Sequence, residues 1–196
     1  MGKIFYIMGK SASGKDSIYQ QLLQKRDLGL QKIILYTTRP IRDEEKQGRE
    51  YFFVDEERYR KFKEEGRLIE WRSYETVHGV WTYFTADDGQ IDLGKNNFLA
   101  IGTLESYEKM KDYFGQGRIC PIYVEVEDGE RLWRALLRER KQDRPRYAEM
   151  CRRFLADEKD FSEDNIRKAR IERRFVNDDS KICLAEIESY IKNMLY

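Results

Sequence analysis

Short apolar runs alternate with strongly charged stretches along the chain, and their spacing sets the expected elements. Lys3 to Met8 (KIFYIM) is one such run, and it turns into glycine at Gly9 as a buried strand does. From Lys15 the apolar positions Ile18, Leu22 and Leu23 recur at helical spacing. KIIL at Lys32 to Leu35 predicts a second buried strand, and YFFV at Tyr51 to Val54 a further short one. Asp55 then stands where it would cap a helix over EERYRKFKEEG. LIEW and VWTYFT have the β-branched and aromatic content of strands. A helical stretch holding Ile91 and Leu93 is expected before FLAIG (Phe98 to Gly102), the third core strand. A helix from Glu105 to Tyr113 and a fourth core strand, ICPIYVEV (Cys120 to Val126), follow. Gly129 to Asp160 is dense in arginine and helical in period. FVNDD (Phe175 to Asp179) predicts a last short strand and turn, and Lys181 to Leu195 an amphipathic closing helix.

Apolar strands alternating with helices predict an α/β protein whose parallel sheet is covered on both faces. Between residues 36 and 95 closely spaced aromatic strands break that rhythm, and an inserted antiparallel lobe accounts for them. Composition adds exclusions. Lysine and arginine total 37 against 36 acids, a net charge of +1, so no global field draws in nucleic acid or an anionic membrane. Anion binding must come from local clusters. Cys120, Cys151 and Cys183 have no metal-ligand spacing and are expected to be reduced and mostly buried. The first apolar run is too short for a signal peptide, and no stretch is long enough to span a bilayer. Gly2 lacks the downstream Ser or Thr of a myristoylation signal, because Tyr6 stands there. A cytoplasmic protein, monomeric or homodimeric, is expected.

Between the first strand and the first helix lies GKSASGKDS: Gly9, Lys10, Ser11, Ala12, Ser13, Gly14, Lys15, Asp16 and Ser17. Gly9, Gly14 and Lys15 have the spacing of a phosphate-binding loop in the strand-to-helix context that gives the motif meaning. Backbone N–H groups there curl around phosphate oxygens while the lysine reaches the terminal phosphates. At the position that normally carries a magnesium-binding hydroxyl stands Asp16. An acid in a first helical turn gains about 0.3–1 kcal/mol from the dipole. A carboxylate about 4 Å from a phosphate is repelled by about 4 kcal/mol at intermediate dielectric. The repulsion wins unless a cation lies between, so Asp16 is expected to hold Mg²⁺ or one of its waters when ATP binds. Ser17 offers a hydroxyl one position further on.

A second anion site follows the KIIL run. TTRPIRDEEKQGREYFFV presents Arg39 and Arg42 three apart, with Glu45 and Tyr51 behind them. With this motif the chain resembles the guanylate kinases, whose monophosphate-holding lobe has Thr-Thr-Arg-x-Pro-Arg-x-Gly-Glu-x-x-Gly-x-x-Tyr-x-Phe-Val. LIEW resembles the family's base-binding strand and supplies Glu70. TYFT stands where the family has Tyr-Tyr-Gly-[Thr/Ser] and supplies Tyr83 and Thr85. LLRERK and CRRFL resemble the arginine-rich lid, with Arg138 and Arg153 as best matches, and FVNDD resembles the closing Val-Asn-Asp-Asp.

The resemblance implies a three-layer P-loop NTPase fold. Its core would comprise residues 1–35, 96–127 and 161–196, its mixed α/β monophosphate lobe residues 36–95, and its helical lid residues 128–160. It implies transfer of the ATP γ-phosphate to a nucleoside monophosphate, GMP first, with Mg²⁺. Arg39, Arg42, Tyr51 and Tyr83 would grip the acceptor phosphate, Glu45 would belong to the same acceptor site, and Glu70 and Thr85 would serve the acceptor's base. Lys15, Arg138 and Arg153 would neutralise charge on the phosphoryl in flight, and Asn177 would lie near the ATP base.

Three departures bear on the acceptor. The family's guanine-reading serine falls at Leu35, and its Asp-x-Asp at the end of the third strand falls at Ala100 and Gly102. The stretch between Glu70 and Tyr83 is also longer. Guanine reading is thereby thinned to Glu70 and Thr85. The Gly-Lys-Asp-Ser ending itself resembles ribose 1,5-bisphosphate phosphokinases, which makes a sugar-phosphate kinase the second reading. A non-catalytic interaction module that binds phosphopeptides is a third, and the intact Gly14 and Lys15 weigh against it. The lone His78 is expected to be a loop or surface residue.

Overall fold

The computed structural model describes residues 2–76 and 79–195, so the expectation for His78 lies outside the described residues. In chain order the first half runs β1 (Ile4–Met8), α1 (Lys15–Gln24), β2 (Leu30–Lys32), β3 (Tyr36–Thr37), β4 (Phe52–Phe53), α2 (Glu56–Glu64), β5 (Leu68–Thr76) and β6 (Gly79–Ala86). The second half runs β7 (Asn97–Ile101), α3 (Leu104–Phe114), β8 (Ile119–Glu125), α4 (Asp128–Arg140), α5 (Tyr147–Asp160), α6 (Glu163–Lys168), β9 (Arg174–Val176) and α7 (Ser180–Leu195).

Five parallel strands, in the order β2-β7-β1-β8-β9, form the central sheet. The two-residue period of β1 explains why its apolar run is unbroken. Ile4, Tyr6 and Met8 face one side, packed with Tyr107 and Met110 of α3 and Ile166 of α6. Phe5 and Ile7 face the other, against Ile18 and Leu22 of α1 and Ile187 and Ile191 of α7. Helix, sheet and helix make the three layers. The strand order reverses about β1, so the loop leaving its C-terminal end opens into the crevice where such sheets hold ligands.

The second sheet, β4-β3-β6-β5, carries its own core of Tyr36, Tyr59, Phe62, Phe84 and Ala86 beneath α2. Asp55 caps that helix, its carboxylate accepting from the Arg58 N–H at 2.8 Å. Among the described residues no helix is long and apolar enough to cross a membrane. Cys120 and Cys183 are buried and Cys151 is exposed, all as free thiols.

Three local expectations are corrected. KIIL is not a strand: β2 ends at Lys32, and Ile33 to Leu35 cross from one sheet to the other. The Ile34 N–H donates to the Gln90 side chain and the Leu35 carbonyl accepts from Phe52 of the second sheet, so the segment joins no single ladder. The stretch holding Ile91 and Leu93 is a turn, not a helix. The Asp92 side chain accepts from the Gly94 N–H and its carbonyl from Lys95 and Asn96, while Leu93 still anchors in the core. The second sheet is mixed, because β3 and β4 pair in parallel while β3–β6 and β5–β6 are antiparallel.

Candidate active site

The loop after β1 reaches α1 through Gly14, whose φ of 84° is left-handed and whose missing Cβ leaves room for the Asn177 amide. No side chain caps α1, so the N–H groups of its first turn point outward unclaimed by any cap, which suits a phosphate. Asn177 has a different task from the one its motif implied. It is buried beneath the loop and donates Nδ2–H to the Ser13 carbonyl at 2.7 Å, which fixes the backbone and leaves it no reach toward a base. Lys15 Nζ lies 3.7 Å from Asp16, whose side chain is 84% exposed. Ser17 stands on the outer face of α1, where its hydroxyl accepts from Gln21.

An ionic hub centred on the buried Arg131 holds α4 and α5 against this loop. Arg131, 1% exposed, donates to Asp128 at 2.9 Å, Glu158 at 2.5 Å and the Ser11 carbonyl at 3.2 Å, and lies over the Phe154 ring. Asp157 accepts from the Ser11 N–H at 2.7 Å. Lys10 does not point at a phosphate site: its ammonium is held by Glu158 at 2.7 Å and Asp128 at 3.2 Å. None of Arg131, Asp157 and Glu158 stood out in a segment so dense in charge. Arg138 and Arg153 come together across the two helices, beside Ser11 and Phe154. Both are exposed, and Arg153 is tied only to Glu149 at 3.3 Å.

On the other side of the loop a cavity of about 420 Å³ lies between the two sheets. Lys15, Asp16 and Tyr19 line it from the loop and α1, Tyr51, Arg72 and Tyr83 from the second sheet. Leu35 and Gly102 add no polar side chain to the wall, while Gln20, Lys32, Glu50 and Thr103 do. Arg39 is buried and does not line this space. Its guanidinium makes a bidentate pair with Glu45 at 2.7 and 2.8 Å and lies over the Tyr51 and Phe53 rings. That pair holds the Glu45 carboxyl down to about 2, first through the Arg39 hydrogen bond. Glu45 also accepts from the Arg42 N–H at 2.9 Å. A carboxylate so placed positions arginines and repels a phosphate, so Glu45 is corrected from an acceptor contact to a support. Arg42 is exposed.

Glu70 and Thr85 are a pair behind the wall rather than on it. Thr85 Oγ1 donates to Glu70 Oε1 at 2.9 Å, and Arg72 Nε stands 3.4 Å from the other carboxylate oxygen. Burial pushes the Glu70 carboxyl up, with Arg72 opposing it. Arg72 escaped the sequence reading, although its offset of two from Glu70 on one strand places both on one face. Gly102 is explained by close approach: a Cβ there would collide with the Tyr6 hydroxyl, which pairs with Ser106 Oγ at 2.6 Å in the core. Gly102→Ala is therefore expected to destabilise by about 1–3 kcal/mol through overpacking. A thermal melt that does not move would mean that Tyr6 swings clear.

The family model described as guanylate kinase matches residues 1–132. A guanylate kinase of Bacteroides thetaiotaomicron is 32% identical over 99% of this chain and 90% of its own length. One of Porphyromonas gingivalis is 29% identical over 100% of this chain and 99% of its own. The crystal structure of guanylate kinase from Anaplasma phagocytophilum superposes with a TM-score of 0.64 at 19% identity, over 98% of this chain and 85% of that one. At that identity the likeness concerns the fold.

Proposed function

The chain belongs to the guanylate kinase family, and from that membership we infer that it phosphorylates GMP with ATP, giving GDP and ADP. The observation that carries this reading to its residues is the shared cavity: Lys15 and Asp16 of the phosphate loop face Tyr51 and Tyr83 of the second sheet across one space. Donor and acceptor phosphates held on opposite walls would meet across it. An oxygen of the GMP phosphate attacks the γ-phosphorus as the bond to the bridging oxygen of ADP breaks. Such a reaction needs positioning and charge neutralisation more than a base.

In this reading the loop N–H groups and Lys15 hold the ATP phosphates. Tyr51 and Tyr83 receive the acceptor phosphate, with Arg42 as its cation and the buried, Glu45-held Arg39 as their support. Arg138 and Arg153 reach the transferring group from the lid, formed by residues 128–160. A coupled assay of ADP release over GMP, dGMP, AMP and UMP tests it. Turnover with GMP is expected, and its absence would overturn the reading.

The residues also fit Mg²⁺, and we assign Asp16 to it. Two carboxylates border the cavity, Asp16 and Glu50. Glu50 is engaged by the Lys46 N–H and the Arg49 guanidinium, whereas Asp16 is 84% exposed and only distantly paired with Lys15 at 3.7 Å, so it is the carboxylate placed to serve an ion shared with phosphate oxygens. Ala100 and Gly102 offer the ion nothing. When bound, the ion would neutralise charge on the β- and γ-phosphates. Asp16→Asn is expected to raise the Mg²⁺ concentration for half-maximal rate severalfold and to leave the melting temperature unchanged, because the side chain is 84% exposed. An unchanged Mg²⁺ dependence would reduce Asp16 to a helix-start acid.

A further inference from the structure

Several polar side chains border the cavity of about 420 Å³, and most of them already have partners in the protein. Lys32 donates to the Arg49 carbonyl at 2.6 Å, Glu50 is held by the Lys46 N–H and the Arg49 guanidinium, and Thr103 closes the cap of α3 with Ser106. Arg72 Nε has no hydrogen bond but stands 3.4 Å from the Glu70 carboxylate. Tyr19 is different. It is 3% exposed, it borders the cavity, and its hydroxyl has no hydrogen-bond partner among the described residues. A phenol buried without a partner forfeits the hydrogen bonds it made to water, and a phenylalanine would fill the same space without that cost. The ring belongs to the core with Ile18, Leu22 and Leu28, so packing accounts for the ring and leaves the oxygen unexplained. We propose that the Tyr19 hydroxyl binds the acceptor phosphate, donating to one of its non-attacking oxygens from the α1 side of the cavity.

The place of Tyr19 on α1 supports this contact. It follows Lys15 by four residues, one turn on and on the same helix face. Helical side chains lean toward the N-terminus of their helix, so the long phenol carries its oxygen back toward the first turn, where the phosphate loop ends. Its electrostatic neighbour there is Tyr51 of the opposite wall: burial, and after it the Tyr51 phenol, push the Tyr19 hydroxyl's pKa up. Tyr19 therefore stays protonated, a donor facing a group whose oxygens are acceptors. Tyr51 and Tyr83 border the same space from the second sheet, their rings 5.6 Å apart. A phosphate received there would be gripped from both sides. The contact from α1 would tie its position to the helix that carries Lys15, which is the alignment that transfer demands.

The assignment rests on the GMP reading, and Tyr19→Phe, which removes only the oxygen, separates the two. By calorimetric titration the variant is expected to bind GMP about 10–100-fold more weakly than wild type, the range for one hydrogen bond to a charged group, and to bind ATP with unchanged affinity. The kcat/KM for GMP should fall by a similar factor. Guanosine, which has the base and no phosphate, should inhibit both proteins equally. The melting temperature should not fall, since the free protein loses no hydrogen bond there. An unchanged affinity for GMP overturns the proposal and leaves Tyr19 a core residue. A loss confined to ATP overturns it by moving the hydroxyl to the donor, and a matching loss for guanosine does so by moving it to the base. A lower melting temperature also overturns it, by giving the hydroxyl a structural partner. Wild-type protein that neither binds nor phosphorylates GMP overturns the kinase reading and this assignment with it, a result visible without the variant.

Discussion

Lys15→Ala is expected to lower kcat for GMP phosphorylation by about 10²–10³-fold, the loss typical of one preorganised electrostatic donor, and to melt at the wild-type temperature. Both halves follow from its place at the start of α1. The ammonium is 19% exposed and has one ion-pair partner, Asp16, at 3.7 Å. An exposed pair of that kind contributes about 0–1 kcal/mol to stability, so truncation removes little that holds the fold. The catalytic contribution is of another kind. Negative charge spreads over the γ-phosphoryl oxygens as they leave ADP, and Lys15 is the cation that the proposed reading places beside them. A coupled assay with a thermal melt checks the prediction. Activity within tenfold of wild type would mean that the lid arginines can replace Lys15, and a large drop in melting temperature would mean that it is structural.

What could be read in the sequence was what lies within a few residues of itself. The unbroken apolar run of β1, the glycines that follow it and the helical spacing from Lys15 all report on contacts made locally or on both faces of one strand. The fold class followed from them, and the family from the motifs. Reading failed where the partner is distant. Nothing near Lys10 says that its ammonium meets Asp128 and Glu158, more than a hundred residues away, and nothing near Asn177 says that it supports Ser13. KIIL failed for a related reason: four apolar residues are compatible with a strand or with a crossing, and only the backbone partners decide. The acceptor wall was half legible. Leu35 and Gly102 show in sequence as missing donors, but that Arg72 borders the cavity while Glu70 is buried behind it is a matter of tertiary packing.

The second large effect is expected at Arg131, in the hub that seats the lid. Arg131→Met should lower stability by about 2–3 kcal/mol, which is about 4–12 °C in melting temperature for a chain of this size, and raise the KM for ATP about tenfold. Methionine nearly fills the space and keeps a favourable contact with the Phe154 ring, so the loss is of charge rather than packing. Breaking one partner out of a buried ion pair costs about 3–5 kcal/mol. The figure is discounted here because Asp128 and Glu158 remain 46% and 37% exposed and water screens them once the arginine is gone. Asp128, Asp157 and Glu158 would be left with Lys10 as their cation, drawing it and the Ser11 backbone out of register. Because Ser11 donates to Asp157 and accepts from Arg131, the same residue couples α4 and α5 to the phosphate loop. That coupling distinguishes the outcomes. A fall in melting temperature with an unchanged KM for ATP would make the hub a stability device alone, whereas both changes together mean that the lid's seat also shapes the loop. No fall in melting temperature would mean that the three acids resolvate freely and that Arg131 is dispensable to the fold.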